Sequence, residues 1–447
     1  MKIPNDVLFI MNTLAEAGYE AYAVGGCVRD SLLGREPKDW DITTNALPEA
    51  VKALFRRTVD TGIEHGTVTV MRGKTGYEVT TYRLDGAYSD GRHPDSVTFT
   101  PELREDLRRR DFTINAMACA ADGTLVDLFG GQEDLEKRVV RCVGDPDERF
   151  TEDALRILRA VRFSAQLDFA IEPETWEALR RHAPNLVHVS RERILAELTK
   201  TLLAEHPERL SELGPAGILP WLPERFSECR ADRRAADLPE ERSVRWAGVF
   251  AESAPETVRE LLKELKSDRD TMDRAALLTR EVKKPLPQTA AEVRILLSEI
   301  GPERFADLLL LKKAGYGLNA DTGAAIGGRN PENTAAERAR AAGNAAERAR
   351  AEENRAEGNA SERIRRAEDL AAEILSRGDC ISLKQLALTG RDLIALGVKP
   401  GPELGKKLAF LFRKVLEQPE LNDAETLKKL LASFICTESG KRAKIGS

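Results

Sequence analysis

The chain has 447 residues, of which 42% are hydrophobic, 32% charged and 5% aromatic, with a formal net charge of −6. That length predicts roughly two to four domains and that apolar share a sizeable core, which excludes wholesale disorder, and no apolar run approaches the ~18–20 residues of a membrane span. As a whole-chain average the acidic balance argues against a nucleic-acid partner.

The opening MKIPNDVLFIMNTLAEAG reads as an amphipathic helix, without the basic lead and cleavage site of a signal peptide. Runs rich in β-branched or aromatic residues predict strands at Ala21–Val24, Thr67–Met71, Glu78–Arg83 and Val97–Thr100, with a helix over Leu47–Phe55. From about Glu148 the strand signals largely stop. Apolar spacing of three and four predicts helices over Glu152–Gln166, Pro173–Ala183, Arg191–Ala204, Pro255–Leu265, Ala290–Ile300 and Glu303–Ala314. Asn330–Leu375 repeats an Ala/Glu/Arg-rich block with few large apolar residues, and is expected to be an exposed helical arm, with a flexible linker as the competing reading. Ile381–Phe434 regains apolar residues and predicts a small helical tail. Six scattered cysteines without a CxxC predict neither a disulfide framework nor a zinc ribbon, and fit a reduced, cytoplasmic setting.

The most informative stretch is YAVGGCVRDSLLGREPKDWDIT, Tyr22–Thr43. A short strand runs into Gly25–Gly26 and then a helix. The glycines permit tight curvature and close approach of a ligand, and the amides that open the helix can receive phosphate oxygens, with Arg29 one turn along. In an extended Asp39-Trp40-Asp41, the two carboxylates share one face while Trp40 points away. Paired hard oxygen donors suit Mg²⁺ or Mn²⁺. On the predicted strand Tyr77–Tyr82, Glu78 is a candidate third carboxylate.

These residues carry a resemblance. Gly25, Gly26, Arg29, Asp30, Asp39 and Asp41 match the first motif of the class II tRNA nucleotidyltransferases, the CCA-adding enzymes related to bacterial poly(A) polymerases. TGIEHGTVTV (Thr61–Val70), RRDFTINAMA (Arg109–Ala118), DLFGG (Asp127–Gly131), EDALRILRAVRF (Glu152–Phe163) and LTGRDLIALGVKPGPELG (Leu388–Gly405) follow in the family's order. The Ala/Glu/Arg repeat and parts of Cys229–Arg242 match nothing in it.

The resemblance implies an α+β chain: a polymerase-β-like nucleotidyltransferase head with a small mixed sheet (1–140), then a helical neck (141–205), body (206–329), arm or linker (330–375) and tail (376–447). It implies that Asp39 and Asp41 bind two Mg²⁺ ions with Glu78 as third acidic residue, that CTP and ATP are the substrates, and that tRNA is the partner. It assigns base selection to Glu152, Asp153 and Arg156. The chemistry agrees: on one helix, Asp153 and Arg156 at i, i+3 share a face, and an acceptor beside a donor complements cytosine and adenine but not uracil or guanine. Arg159 and Arg162 continue a row suited to phosphate. Arg109, Arg110, Asp111 and Asn115 resemble the family's ribose-recognition motif, Arg for phosphate and Asp with Asn for a 2′-hydroxyl. DLFGG resembles its hinge, and His65 is a candidate contact to nucleotide or primer as much as a structural residue.

A polar Gly/Asp/Arg loop within Thr80–Phe99 accompanies complete CCA addition in the family, where CC-only enzymes lack it. The alternatives are a poly(A) polymerase or a catalytically silent tRNA-binding protein. No histidine is followed by Asp, so no HD-type phosphohydrolase site is apparent. In the tail, a Pro–Gly turn precedes a helix with Lys406, Lys407, Arg413 and Lys414, which fits an RNA contact or a solvated lysine face. Positive charge is thus local, in Arg104–Arg110, Arg156–Arg162 and the tail, and the net charge averages it away.

Overall fold

The computed structural model describes residues 1–86, 97–317 and 359–443, with backbone alone for Asp85 and 435–443. They divide into two compact units, Met1–Val249 with Glu256–Met272, and Phe250–Pro255 with Asp273 onward.

Among the described residues the head of the first unit has nine strands up to Asp127: β1 (Ala21–Val24), β2 (Asp41–Thr44), β3 (Thr58–Gly62), β4 (Thr67–Arg72), β5 (Thr75–Thr81), β6 (Arg83–Asp85), β7 (Val97–Phe99), β8 (Met117–Cys119) and β9 (Leu125–Asp127); the two-residue strand Val139–Val140 that follows pairs with Ala170–Ile171 in a separate ribbon. Seven of the nine form one sheet in the order β3-β4-β5-β2-β1-β8-β9. Every neighbouring pair in it is antiparallel except β2 with β5, so the sheet is mixed as expected. The other two, β6 and β7, pair as a separate ribbon. The polar loop expected to accompany full CCA addition lies mostly between them, at 87–96, outside the described residues.

One face of the sheet packs on α1 (Asn5–Glu16), whose Val7, Ile10, Met11 and Leu14 form the buried stripe that the opening sequence predicts. Between β1 and β2 runs α2 (Gly26–Leu32). Beside α1 lies α3 (Pro48–Leu54), in contact with α1, β4 and β5. On the opposite face α4 (Leu103–Arg108) buries Leu107 against Val24 and Ala118. Gly131 opens α5 (Gly131–Lys137), and there a Cβ would lie 2.5 Å from the Thr113 carbonyl. The Asp127 carboxylate accepts from the backbone N–H of Gly131 at 2.9 Å and of Gln132 at 2.8 Å, which ties the DLFGG turn down.

Helices follow. The single helix predicted over Glu152–Gln166 is two: α6 (Pro146–Glu152) and α7 (Leu155–Leu167). Asp153 is extended (φ −142°, ψ 103°), and its Oδ1 accepts from the Leu155 N–H at 3.0 Å. A short polar side chain that bonds its own downstream backbone competes with the helical ladder, and here it wins. Asp153 and Arg156 therefore do not share one continuous helix face. Next come α8 (Pro173–His182) and α9 (Arg191–Leu202), which packs along α7.

The second unit is helical, with Ala290–Ile300, Pro302–Lys313, Pro402–Glu417 and Ala424–Ala443 as its longer named helices. Leu386, Leu388, Leu393, Val398, Leu411, Val415, Leu427 and Leu431 form much of the tail core. Arg294, buried, donates to the carbonyls of Leu416 (2.7 Å) and Glu417 (3.2 Å) and so satisfies the C-terminus of the Pro402–Glu417 helix.

Residues 359–377 form a helix that buries Ala360, Ile364, Ala367, Ala371 and Ile374. This corrects the expectation of an exposed arm for that part. Alanines at three- and four-residue spacing make a narrow stripe that packs closely, and low apolar content hid it. The arm's remainder, 330–358, lies outside the described residues. Cys27, Cys119, Cys142, Cys229 and Cys380 are free thiols. Among the described residues no helix is long and apolar enough to cross a membrane.

Candidate active site

A cleft of about 1130 Å³ opens in the first unit, walled by the β1–α2 turn, the start of β2, the α4–β8 connection, α7 and α9. It gathers Gly25, Gly26, Arg29, Asp30, Asp39, Asp41, Arg109, Arg110, Asp111, Asn115, Asp153, Arg156, Arg159 and Arg162. Four separated sequence motifs thus converge. Glu78, Glu152 and His65 are not in its wall, and Lys406, Lys407 and Arg413 lie on the Pro402–Glu417 helix of the second unit.

Strand pairing explains the acidic end. Antiparallel pairing sets Asp41 opposite Val24, beside the Gly25–Gly26 turn. The parallel register Ile42↔Val79, continued by one residue, brings Asp41 level with Glu78. Trp40 is buried, as alternation predicts, while Asp39 and Asp41 on either side of it line the cleft, where the Asp41 carboxyl is partly desolvated. Burial raises the Asp41 carboxyl above the ordinary range, and the charges of Glu78 and Asp39 push the same way while Arg110 opposes them. Carboxylates in mutual repulsion suit a divalent cation. Among the described residues no three His, Cys, Asp or Glu side chains close into one metal cluster. Two carboxylates are enough for Mg²⁺, which keeps waters and takes substrate phosphate oxygens as its other ligands. The donor set fits the ion.

Gly25 has φ +81°, and a Cβ there would sit 3.0 Å from Arg110 Nη1. A side chain at residue 25 would meet both a strained backbone and that guanidinium. Arg109 and Arg110 are held by Asp106, a fully buried carboxylate that sequence reading missed. Asp106 accepts from Arg109 Nη2 (2.7 Å), Arg110 Nη2 (3.5 Å) and Thr43 Oγ1 (3.0 Å), which joins α4 to β2 two residues beyond Asp41. Burial would raise its pKa, but the two arginines prevail and lower it. Arg110 Nε is buried with no hydrogen-bond partner, and Arg110 lines the cleft.

Asp111 and Asn115 are engaged within the protein. Arg159 donates to Asp111 Oδ2 from Nε (2.7 Å) and Nη2 (2.5 Å), and Asn115 Nδ2 to Asp111 Oδ1 at 3.2 Å. Arg29 Nη1 donates to Asn115 Oδ1 at 2.6 Å. Burial works against the Asp111 charge, yet Arg159 outweighs it and holds the carboxyl down at about 2. Arg162 Nε bonds the buried Glu197 of α9 at 2.5 Å.

Glu152, Asp153 and Arg156, the residues expected to select the base, sit at the α6–α7 break. Arg156 Nη1 donates to Glu152 Oε2 (2.5 Å) and the Arg149 carbonyl (3.1 Å), and Nη2 to the Arg109 carbonyl (3.0 Å). Glu152 thus holds Arg156 from outside the cleft wall. Asp153 pairs not with Arg156 but with Arg193 of α9, at 2.7 Å. Arg193 and Glu197 also escaped sequence reading, since each meets its partner from a separate helix.

A mixed sheet with two carboxylates at a strand start, a glycine turn beside them and an arginine-lined cleft defines a polymerase-β-like nucleotidyltransferase. Residues 21–141 match the family described as the poly A polymerase head domain, 168–227 the "probable RNA and SrmB-binding site of polymerase A", and 352–431 a tRNA nucleotidyltransferase domain 2. A CCA-adding enzyme of Levilactobacillus brevis is 38% identical over 434 residues, covering 93% of this chain and 96% of its own. One from Lacticaseibacillus paracasei is 38% identical and covers 94% of each chain. The crystal structure of the Bacillus stearothermophilus CCA-adding enzyme in complex with CTP superposes with a TM-score of 0.77 at 31% identity, covering 99% of this chain and 100% of that one. The chain belongs to the CCA-adding enzymes of the tRNA nucleotidyltransferase family.

Proposed function

We propose that this protein adds the 3′-terminal CCA to tRNA, using CTP and ATP without a nucleic-acid template and releasing pyrophosphate. The observation that carries the reading is the convergence in one cleft of Asp39 and Asp41, the Gly25–Gly26 turn, the arginines of α7 and Asp153 with Arg156.

Asp39 and Asp41 would hold Mg²⁺, with Glu78 supporting Asp41 from the neighbouring strand. The ion, when bound, lowers the pKa of the attacking 3′-hydroxyl and neutralises the triphosphate and leaving pyrophosphate. The protein's own residues do the positioning on which in-line phosphoryl transfer depends. The Gly25–Gly26 turn lets a phosphate approach the backbone that opens α2. Arg29, Arg110, Arg159 and Arg162 supply donors for phosphate oxygens. Asn115, with one N–H of Nδ2 uncommitted, is the nearer of the Asp111–Asn115 pair to a role at the ribose 2′-hydroxyl.

The base is read by fixed groups. Arg156, clamped by three acceptors, keeps its Nε–H and one Nη2–H available, and Asp153 keeps lone pairs on both oxygens. Cytosine and adenine each present an exocyclic amine donor beside a ring-nitrogen acceptor and satisfy such a pair. Uracil and guanine would leave buried groups unpaired, at about 1–3 kcal/mol for each. Division into head, neck, body and tail, a cytoplasmic setting and RNA contact by Lys406, Lys407 and Arg413 belong to the same reading.

The test is a product-length assay on tRNA lacking its 3′ end. CTP and ATP together should give a three-nucleotide extension, CTP alone two and ATP alone none. The poly A polymerase description of the head gives the second reading its foothold. A long A tract without CTP would decide for it, and no pyrophosphate release with any RNA would decide for a silent binding protein.

A further inference from the structure

One aromatic ring at the centre of the cleft touches three of its arginines. Phe163 on α7 is 4% exposed and lines the cavity. The guanidinium carbons of Arg162, Arg29 and Arg159 stand 4.0, 5.1 and 5.5 Å from its ring centroid. Arg159 and Arg162 share α7 with it, whereas Arg29 comes from α2, across the sheet domain. Phe112 meets the ring edge-on, with centroids 5.7 Å apart and planes at 80°, which fixes its tilt.

Each guanidinium is also tied at an edge: Arg29 by Asp30 (2.8 Å), Arg159 by Asp111 (2.5 Å) and Arg162 by Glu197 (2.5 Å). Each is therefore held by a carboxylate and by the ring. Arg159 Nη1 and Arg162 Nη2 have no bonded partner among the described residues and remain as donors. Like charges this close repel, and without an intervening group they would spread or turn away. The negative π-face attracts all three and sets their separation before any anion arrives.

We propose that Phe163 is a positioning residue that preorganises Arg29, Arg159 and Arg162 into a receptor for the polyphosphate chain common to both nucleotides. The inference rests on reading the cleft as a nucleoside-triphosphate site. It makes a distinct demand: the benefit falls on the phosphates, so it is blind to the base.

The experiment uses the full-length protein and inorganic tripolyphosphate as probe. Wild type should bind tripolyphosphate in competition with CTP by calorimetry. Phe163→Leu and Phe163→Met should weaken that binding about tenfold and raise the KM for CTP and ATP by the same factor. The ratio of CTP to UTP incorporation should not move, and Phe163→Tyr should retain most of the affinity. Mono-, di- and trifluorophenylalanine at 163 keep the ring's shape while draining its π-charge, so affinity should fall stepwise with fluorine number even where the leucine variant folds poorly. Flat affinity across the fluorinated series, or a loss that differs between CTP and ATP, overturns the role of Phe163. Failure of wild type to bind tripolyphosphate at all overturns instead the reading of the arginines as a triphosphate site.

Discussion

At the residue scale the site is a set of charges that the fold has made costly to move. Asp41 takes up the conflict between two neighbouring carboxylates and one arginine. Asp39→Ala or Asp41→Ala should lower kcat by at least about a thousandfold, ~4 kcal/mol at ~1.4 kcal/mol per decade, while filter-binding affinity for tRNA stays within about threefold. Near-normal turnover in either variant would remove the metal assignment. Asp111 makes a different, pH-dependent contribution. Its folded pKa of about 2 lies below the ordinary 3.8, so its charge stabilises the fold fully above pH ~4, progressively less as pH falls, and not at all below ~2. The gap corresponds to roughly 2 kcal/mol at neutral pH. Asp111→Asn should therefore lower the urea midpoint at pH 7, and the deficit should narrow between pH 4 and 2.5. A deficit that stays constant through that window would mean that Asp111 acts through packing and not through its charge with Arg159.

At the scale of elements, what sequence could show depended on distance along the chain. Gly25 to Arg29, Asp39 to Asp41, Arg110 to Asn115 and Asp153 to Arg162 are compact runs, so the chemistry of each was legible before any fold, and the fold only had to bring the runs together. The partners that hold them were not. Arg193 meets Asp153 from 40 residues away, Glu197 meets Arg162 from 35 and Asp106 meets Thr43 from 63, and no local pattern marks such pairs. The α6–α7 break escaped for the opposite reason. Strong helix formers run through Glu152–Gln166, and a single Asx bond from Asp153 outweighs them. Strands β8 and β9, three residues each, are too short to show alternation. The break bears on the proposed base reading, because it frees Asp153 from α7 and leaves Arg193 of α9 to orient it. Asp153→Ala should raise UTP incorporation relative to CTP about tenfold or more, with metal dependence unchanged. Arg193→Ala should move the same ratio in the same direction but less, Arg193→Lys should restore part of it, and the double variant should add little to Asp153→Ala, the non-additivity expected of one contact. Independent, additive effects measured in that cycle would dismiss the α9 contact as a bystander.

For the whole molecule the question is where a chain of net charge −6 holds a polyanion. The acidic residues lie in part at the Asp39–Asp41 end of the cleft and in part as partners to arginines, so they do not repel RNA uniformly. The tail helix shows how finely the balance is set. Lys406 is exposed, Lys407 lies 3.6 Å from Glu403 and Arg413, well exposed, 3.6 Å from Glu417. The exposed Arg413 pair is worth only ~0.3–0.5 kcal/mol, so a phosphate can compete for that cation at little cost, whereas the Lys407 side chain, only 13% exposed, must turn outward to meet one. Replacing all three by alanine should weaken tRNA binding about three- to tenfold at physiological salt and leave the KM for CTP unchanged. The salt dependence is the sharper measurement. Removing a cation that neutralises one RNA phosphate should flatten the slope of log K against log salt by ~0.7–0.9, so for three cations a slope shallower by up to about 2–2.7 between 50 and 200 mM salt is expected. An unchanged slope would show that these residues are a solvated helix face, and that the RNA path runs elsewhere on the protein.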